Sequence, residues 1–303
     1  MKRTTQQPNS FDPRVTAHFH ASAALYKRWS PEGHLHFGYW RWPLSPFDRH
    51  AMLEELVHQA VAPLQPTHTK RVADLGCGYG AAARLVAKTH GTHVDAFTVT
   101  EAQCHEGAVA ALVDGTFDRV TMHLRDFRNT GLPAASLDGA YALESLCYGN
   151  GHGKSDALAE AARILKPGAT LSVMDGFLLR ESRGWQKELV GTVARGWALD
   201  HFPKLRSFTH ALEAAGFTDV RVRDLNWRMG ACALHGLPLL ARTYLEDLFR
   251  RPRMDALERA HLRSCGLGIL LGTQRGLFRY CHVTATRSAD QPMRRSTNGT
   301  CLG

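Results

Sequence analysis

Val72-Ala73-Asp74-Leu75-Gly76-Cys77-Gly78-Tyr79-Gly80 is the stretch on which the fold turns. Arg71 to Leu75 reads as a short buried strand, the three glycines as a tight turn, and Ala81 to Thr89 as a helix. Glycine there lets backbone amides approach a ligand, because no Cβ intervenes. Working outward, His93 to Val99 reads as a second strand, Ala102 to Val113 as a helix, and Val120 to Arg125 as a third strand ending at Asp126. Leu137 to Leu143 is a fourth strand, Lys154 to Leu165 a helix, and Gly168 to Phe177 a fifth strand. Trp185, Leu189, Val193 and Trp197 stand at helical spacing, which predicts a helix outside the sheet. Alternation resumes with a helix from Ser207 to Ala215 and a strand from Val220 to Leu225. Helices at about 231–249 and 255–275 precede a last strand from Leu277 to Ala285. Strands alternating with helices predict an α/β fold with a doubly wound, mostly parallel seven-stranded sheet.

Upstream of the turn, residues 1–14 lack periodicity and read as a loose arm, and Val15 to Trp29 as a short helix. Gly33-His34-Leu35-His36-Phe37-Gly38-Tyr39-Trp40 is aromatic, rich in histidine and broken by glycine, so no helix runs through it. Asp48 to Val61 reads as a second helix. The resulting division is an arm and lid at 1–68, a ligand-binding core at 69–178, a helical cap at 179–206, the rest of the sheet at 207–287 and a disordered tail at 288–303.

The 303 residues are 44% hydrophobic and 21% charged, which excludes disorder, collagen and coiled coil as the main organisation. No run approaches eighteen apolar residues, and MKRTTQQPNS has no apolar stretch behind its basic residues. The expectation is a cytoplasmic protein without stable membrane insertion, its seven cysteines free thiols. The net charge of +9 favours anionic partners, but the basic residues are scattered, so nucleic acid is not expected. His18 with His20, and His34 with His36, have a spacing that suits zinc, yet no nearby cysteine or acid completes a ligand set, and no metal is expected.

Two ligands suit the turn. Gly76, Gly78 and Ala81 satisfy a relaxed dinucleotide fingerprint, with Asp95 placed as a ribose acid. Asp74 argues against it, because a carboxylate at the strand tip repels a pyrophosphate and favours a cationic ligand. Asp126-Phe127, a carboxylate beside a ring, suits an adenine. These residues resemble the first and adenine-binding motifs of class I S-adenosylmethionine-dependent methyltransferases. Leu165-Lys166-Pro167-Gly168-Ala169 resembles their turn into the fifth strand, with Ala169 in place of the usual second glycine. The lead-in segment at 33–40 and Thr98-Val99-Thr100-Glu101-Ala102-Gln103 are similar to the sterol, tocopherol, cyclopropane-lipid and other terpenoid methyltransferases. Beyond residue 178 the resemblance fades.

The resemblance implies S-adenosylmethionine as cofactor, held by Tyr39, Asp74, Gly76, Cys77, Gly78, Thr98, Thr100, Gln103, Asp126 and Phe127, with Asp95 too early to reach it. It also places Glu144, in Leu143-Glu144-Ser145-Leu146-Cys147-Tyr148, facing the methyl group. An alkene attacked by a methyl cation equivalent leaves a carbocation, which aromatic faces stabilise and a carboxylate can deprotonate. Glu144 is the expected catalytic acceptor, with Tyr26, His36 and Tyr148 as further catalytic candidates; anchoring of a lead-in amide is Glu144's other reading. Trp29, Phe37, Trp40, Trp185, Trp197 and Phe202 are expected to line the acceptor pocket. His152, after a glycine-rich loop, is a further base candidate, and Arg28, Arg180, Arg195 and Arg206 are candidate clamps for an anionic group. The function expected is C-methylation of an isoprenoid alkene on a hydrophobic small molecule, whose anionic character the net charge favours; N- or O-methylation and a homo-oligomer stay open.

Overall fold

The computed structural model describes residues 11–68, 70–249 and 253–289. The readings of an arm before residue 11 and of a tail from residue 290 lie outside the described residues. Asp12 caps α1 (Pro13–Trp29), its side chain accepting from the Arg14 amide while Pro13 supplies a preset φ at the first turn. The helix therefore starts two residues before Val15. Asp48 caps α2 (Arg49–Val61) in the same way through the Ala51 amide.

The sheet follows in the order the periodicity predicts: β1 (Arg71–Leu75), α3 (Ala81–His90), β2 (His93–Thr98), α4 (Glu101–Val113), β3 (Val120–Leu124), β4 (Leu137–Leu143), α5 (Ser155–Ile164) and β5 (Leu165–Leu178). The cap helix α6 (Trp185–Gly196) and α7 (Leu205–Ala214) come next, then β6 (Phe217–Asp224), α8 (Asn226–Phe249), α9 (Ala256–Thr273) and β7 (Phe278–Arg287). Three starts differ from expectation by three residues or more. β5 begins at Leu165 because a bulge absorbs Lys166-Pro167-Gly168: Leu137 pairs with Leu165, and the next pair is Gly139 with Thr170. β6 begins at Phe217 and crosses a second irregularity, with Asp219 at positive φ. α8 starts at Asn226, whose amide bonds to Asp224, and tolerates Pro238 inside it.

The strand order is β3-β2-β1-β4-β5-β7-β6. Only β7 runs against its neighbours, antiparallel to β5 and to β6. Period-2 alternation sorts β1 between two apolar layers. Ala73 and Leu75 join Phe97, Leu158, Phe177 and Phe208 on one face, while Val72 joins Leu56, Val86, Tyr141 and Met174 on the other. The order reverses between β1 and β4, so a crevice opens at their carboxyl ends. Over it lie α1, α6, α8 and α9, with Leu189, Val193, Phe202 and Leu271 forming a separate apolar cluster in this roof.

Candidate active site

A cavity of about 650 Å³ occupies the crevice and draws its wall from Asp12 to Tyr280. At its floor the chain leaves β1 through Gly76 at φ +99° and Gly78 at φ +54°. A Cβ on Gly76 would collide with the Ser145 side chain, whose hydroxyl bonds the Leu75 carbonyl; one on Gly78 would stand 2.6 Å from Leu35 Cδ1. The turn is thus a cradle that a side chain would fill. The lead-in segment closes over it: Leu35 rests on Gly78, and Arg84 bonds the Glu32 and Tyr79 carbonyls.

Asp74 lies beneath this turn rather than on the cavity wall. It is 1% exposed, accepts a 3.0 Å bond from the Tyr141 hydroxyl, and burial pushes its pKa up to about 7. The expectation that it meets the ligand's positive end is corrected accordingly. Asp74→Ala strands the Tyr141 hydroxyl and should cost about 1–3 kcal/mol in urea unfolding, with Asp74→Asn losing less. Equal stability of wild type and Asp74→Ala would contradict this role. Cys77 is also off the wall, its amide tying the turn to the Phe97 carbonyl at 2.8 Å.

Beside the turn, the Thr98 hydroxyl donates to Gln103 Oε1 at 2.8 Å, and both side chains line the cavity. Thr100 is not in the wall, but its hydroxyl is buried with no partner among the described residues, at the start of α4. Asp126 and Phe127 are in the wall, with Arg128 forked onto the Asp126 carboxylate at 2.5–3.0 Å. Asp95 is held away from the cavity by Arg71 and His123. A glycine cradle, a hydroxyl–amide pair and a carboxylate next to a ring fit S-adenosylmethionine's amino acid, ribose and adenine parts.

On the opposite wall, Glu144 follows β4 at φ +52°. Its Oε1 accepts from the Phe37 amide and from the Tyr280 hydroxyl, each at 2.8 Å. Burial raises its pKa to about 8 even though both bonds oppose the shift. Glu144 therefore does anchor the lead-in segment, and it also faces the cavity; its Oε2 accepts no bond among the described residues. Asp175, inside β5 and three residues before its end, also lines the wall, accepting from the Cys147 and Gly176 amides with its pKa raised by burial to about 6.

His36 serves differently than expected. The Phe37 carbonyl can only accept, so His36 Nδ1 donates to it at 2.7 Å, and its Nε2 then accepts from His34 Nδ1 at 3.1 Å. Both ring nitrogens are committed, and burial lowers the pKa to about 4, so the ring stays neutral and braces Phe37. Tyr148 bonds the Trp197 carbonyl at 2.9 Å. Tyr26 lines the cavity in edge contact with Trp29.

Trp29, Phe37, Trp197 and Phe202 are in the wall as well. Trp185, Trp40 and Tyr39 are not. Trp185 is 60% exposed, because α6 turns Leu189, Val190, Val193 and Ala194 inward. Trp40 donates to the Leu44 carbonyl, and Tyr39 packs in the core with Arg228 over its ring. Trp185→Ala should leave turnover unchanged within about twofold, since exposed changes rarely exceed 0.5 kcal/mol; a larger loss in steady-state rate would put it back in the site. His152 is exposed beyond Gly151, which turns the chain at positive φ. Arg28, Arg180, Arg195 and Arg206 are outside the wall, whose arginines are Arg49, Arg125, Arg128 and Arg275. Tyr280 and Asp175 were missed; an acid inside the apolar run Leu171–Leu178 was a signal for the second.

A family model described as a methyltransferase domain matches residues 72–168. The O-methyltransferase resE of Aspergillus sclerotiorum is 31% identical over 143 residues, 47% of this chain and 53% of that protein. A 2-methyl-6-phytyl-1,4-hydroquinone methyltransferase of Synechocystis sp. is 25% identical over 225 residues, 68% of each chain. The matched region spans about half the length of the first curated relatives. Geranyl diphosphate C-methyltransferase from Streptomyces coelicolor has the same fold, with a TM-score of 0.69 at 16% identity over 92% of this chain and 100% of that one. The family match lies on the glycine turn and the strands that flank it, so residues 72–168 carry a methyltransferase domain.

Proposed function

We propose that the protein methylates a hydrophobic small molecule, most specifically a π-bonded carbon of an isoprenoid acceptor. One observation carries this reading: a half-buried carboxyl, Glu144, whose Oε2 accepts no bond among the described residues, stands in a wall built of the rings of Tyr26, Trp29, Phe37, Trp197 and Phe202. S-adenosylmethionine, when bound, supplies an electrophilic methyl group on a positively charged sulfur. The glycine turn, Thr98, Gln103, Asp126 and Phe127 would hold it. The aromatic faces offer a developing cation on the acceptor about 2 kcal/mol each once water is excluded. Glu144 Oε2 takes up the proton, while Oε1 keeps Phe37 and Tyr280 in place. His36 takes no part in proton transfer, since neither ring nitrogen is free.

O-methylation is the second reading, favoured by the relatives matched in sequence, of which resE is an example. Then Glu144 would take a hydroxyl proton instead. The test is to supply carbon-13 methyl donor with a panel of prenyl diphosphates, prenylated phenols and phenolic polyketides, and to locate the label by NMR. A new carbon–methyl bond is the expected result. A methoxy product with no labelled carbon–methyl bond would replace it with the second reading.

A further inference from the structure

The outer face of α8 is apolar along its whole length. From Leu234 the spacing i, i+3, i+7, i+11, i+14 reads Leu234, Leu237, Ala241, Leu245 and Leu248, and every one of these is exposed. The opposite face, with Met229, Cys232, Leu240 and Thr243, is the buried one. A surface helix normally carries charge on the side away from the core, so this helix has two apolar faces and a partner for just one of them.

The stripe does not stand alone. Trp227 and Phe249 near the two ends of α8, and Trp42 and Phe47 in the loop before α2, are all more than three-quarters exposed. That loop is tied to α8: His235 donates to the Pro46 carbonyl at 2.7 Å, and the Trp40 amide to the Arg228 carbonyl at 2.8 Å. Trp227 and Leu234 also line the cavity, so the exposed apolar surface continues into its mouth.

Charge then selects the occupant. Among the described residues of 226–275 there are six arginines and four acids. The acids are engaged: Asp255 and Glu258 form the capping box of α9, Asp247 accepts from the Met254 amide, and Glu246 is shared by Arg28 and Arg242. A second copy docked on this face about a two-fold axis would bring the same arginine surplus against itself. A bilayer with anionic headgroups complements both features, receiving the arginines at its surface and the leucines and aromatic rings just below it.

We propose that α8 and the Trp42–Phe47 loop form a face by which the protein docks on an anionic lipid surface, with the cavity mouth at the membrane, so that an apolar acceptor passes from the lipid into the site. No helix among the described residues is long and apolar enough to cross a membrane, so the contact is interfacial. The docking does not depend on which atom of the acceptor is methylated.

Co-sedimentation of the full chain with vesicles tests it without any assay of turnover. Vesicles of phosphatidylcholine mixed with phosphatidylglycerol should capture the protein at least about tenfold better than phosphatidylcholine alone. Leu245→Glu, and separately Trp42→Ser, should each weaken that capture by about tenfold. Both residues are exposed, and retained thermal unfolding shows that each variant is folded. Absent capture by the mixed vesicles overturns the proposal, as does capture that neither substitution changes. A dimer in sedimentation equilibrium that Leu245→Glu converts to monomer overturns it in favour of a second copy.

Discussion

Glu144→Gln is expected to lower turnover by about 10²–10⁴-fold, the range that one positioned proton acceptor contributes. Glutamine keeps the shape and an oxygen for the Phe37 amide and the Tyr280 hydroxyl, so the lead-in segment stays seated while the ability to accept a proton is lost. The pH dependence has a definite sign. Glu144 titrates near 8, so the carboxylate form required here is depleted as pH falls below that value. Wild-type kcat/KM should rise about tenfold per pH unit and level off above about 8, as expected for a single ionisation. The Tyr280 hydroxyl favours the charged form, so Tyr280→Phe should move the inflection upward. A Glu144→Gln enzyme with undiminished kcat would mean that the carboxyl serves as a lid anchor alone.

Gly76→Ala carries the other large effect. A φ of +99° is open to glycine and strained for any residue with a Cβ, which alone costs on the order of 1–3 kcal/mol. The added carbon also meets Ser145, which has little room to yield because its hydroxyl is bonded to the Leu75 carbonyl. Displacing the turn should weaken binding of S-adenosylhomocysteine by at least about 100-fold in calorimetry, equivalent to roughly 2.7 kcal/mol. Gly115→Ala is the control. Its φ is +69° and nothing stands within 4 Å of its new Cβ, so it carries the strain without the collision. Affinity that falls equally in both variants would show that backbone strain somewhere in the fold, rather than the shape of this cradle, limits binding.

The sheet was legible because each strand and helix announces itself within a dozen residues. Alternating burial in β1 and the glycine turn after it are local facts, as are the caps Asp12 and Asp48. A residue's place in the cavity wall was legible where it follows from its strand end, as for Glu144 and Asp126. It was obscure where the answer depends on what packs opposite. The 185–197 spacing is helical as read, yet it is the inner stripe at Leu189 and Val193 that meets the roof, leaving Trp185 outside. His36 looked like chemistry until His34 and the Phe37 carbonyl took both its nitrogens. Tyr280 gave no local signal, because its role depends on β7 lying next to β5, a pairing across a hundred residues.

That pairing has a consequence for how the two halves of the site arise. The cradle and adenine end are built from β1 to β3, all of them early in the chain, while the acceptor wall needs Tyr280 from the strand that comes last of the seven. During synthesis, a nascent chain released as far as β5 would already own its donor-binding half and would have no finished chamber for an acceptor. Donor recognition and acceptor choice are therefore separable along the polypeptide, and drift in the later half can retarget the catalyst without touching the part that it shares with its relatives.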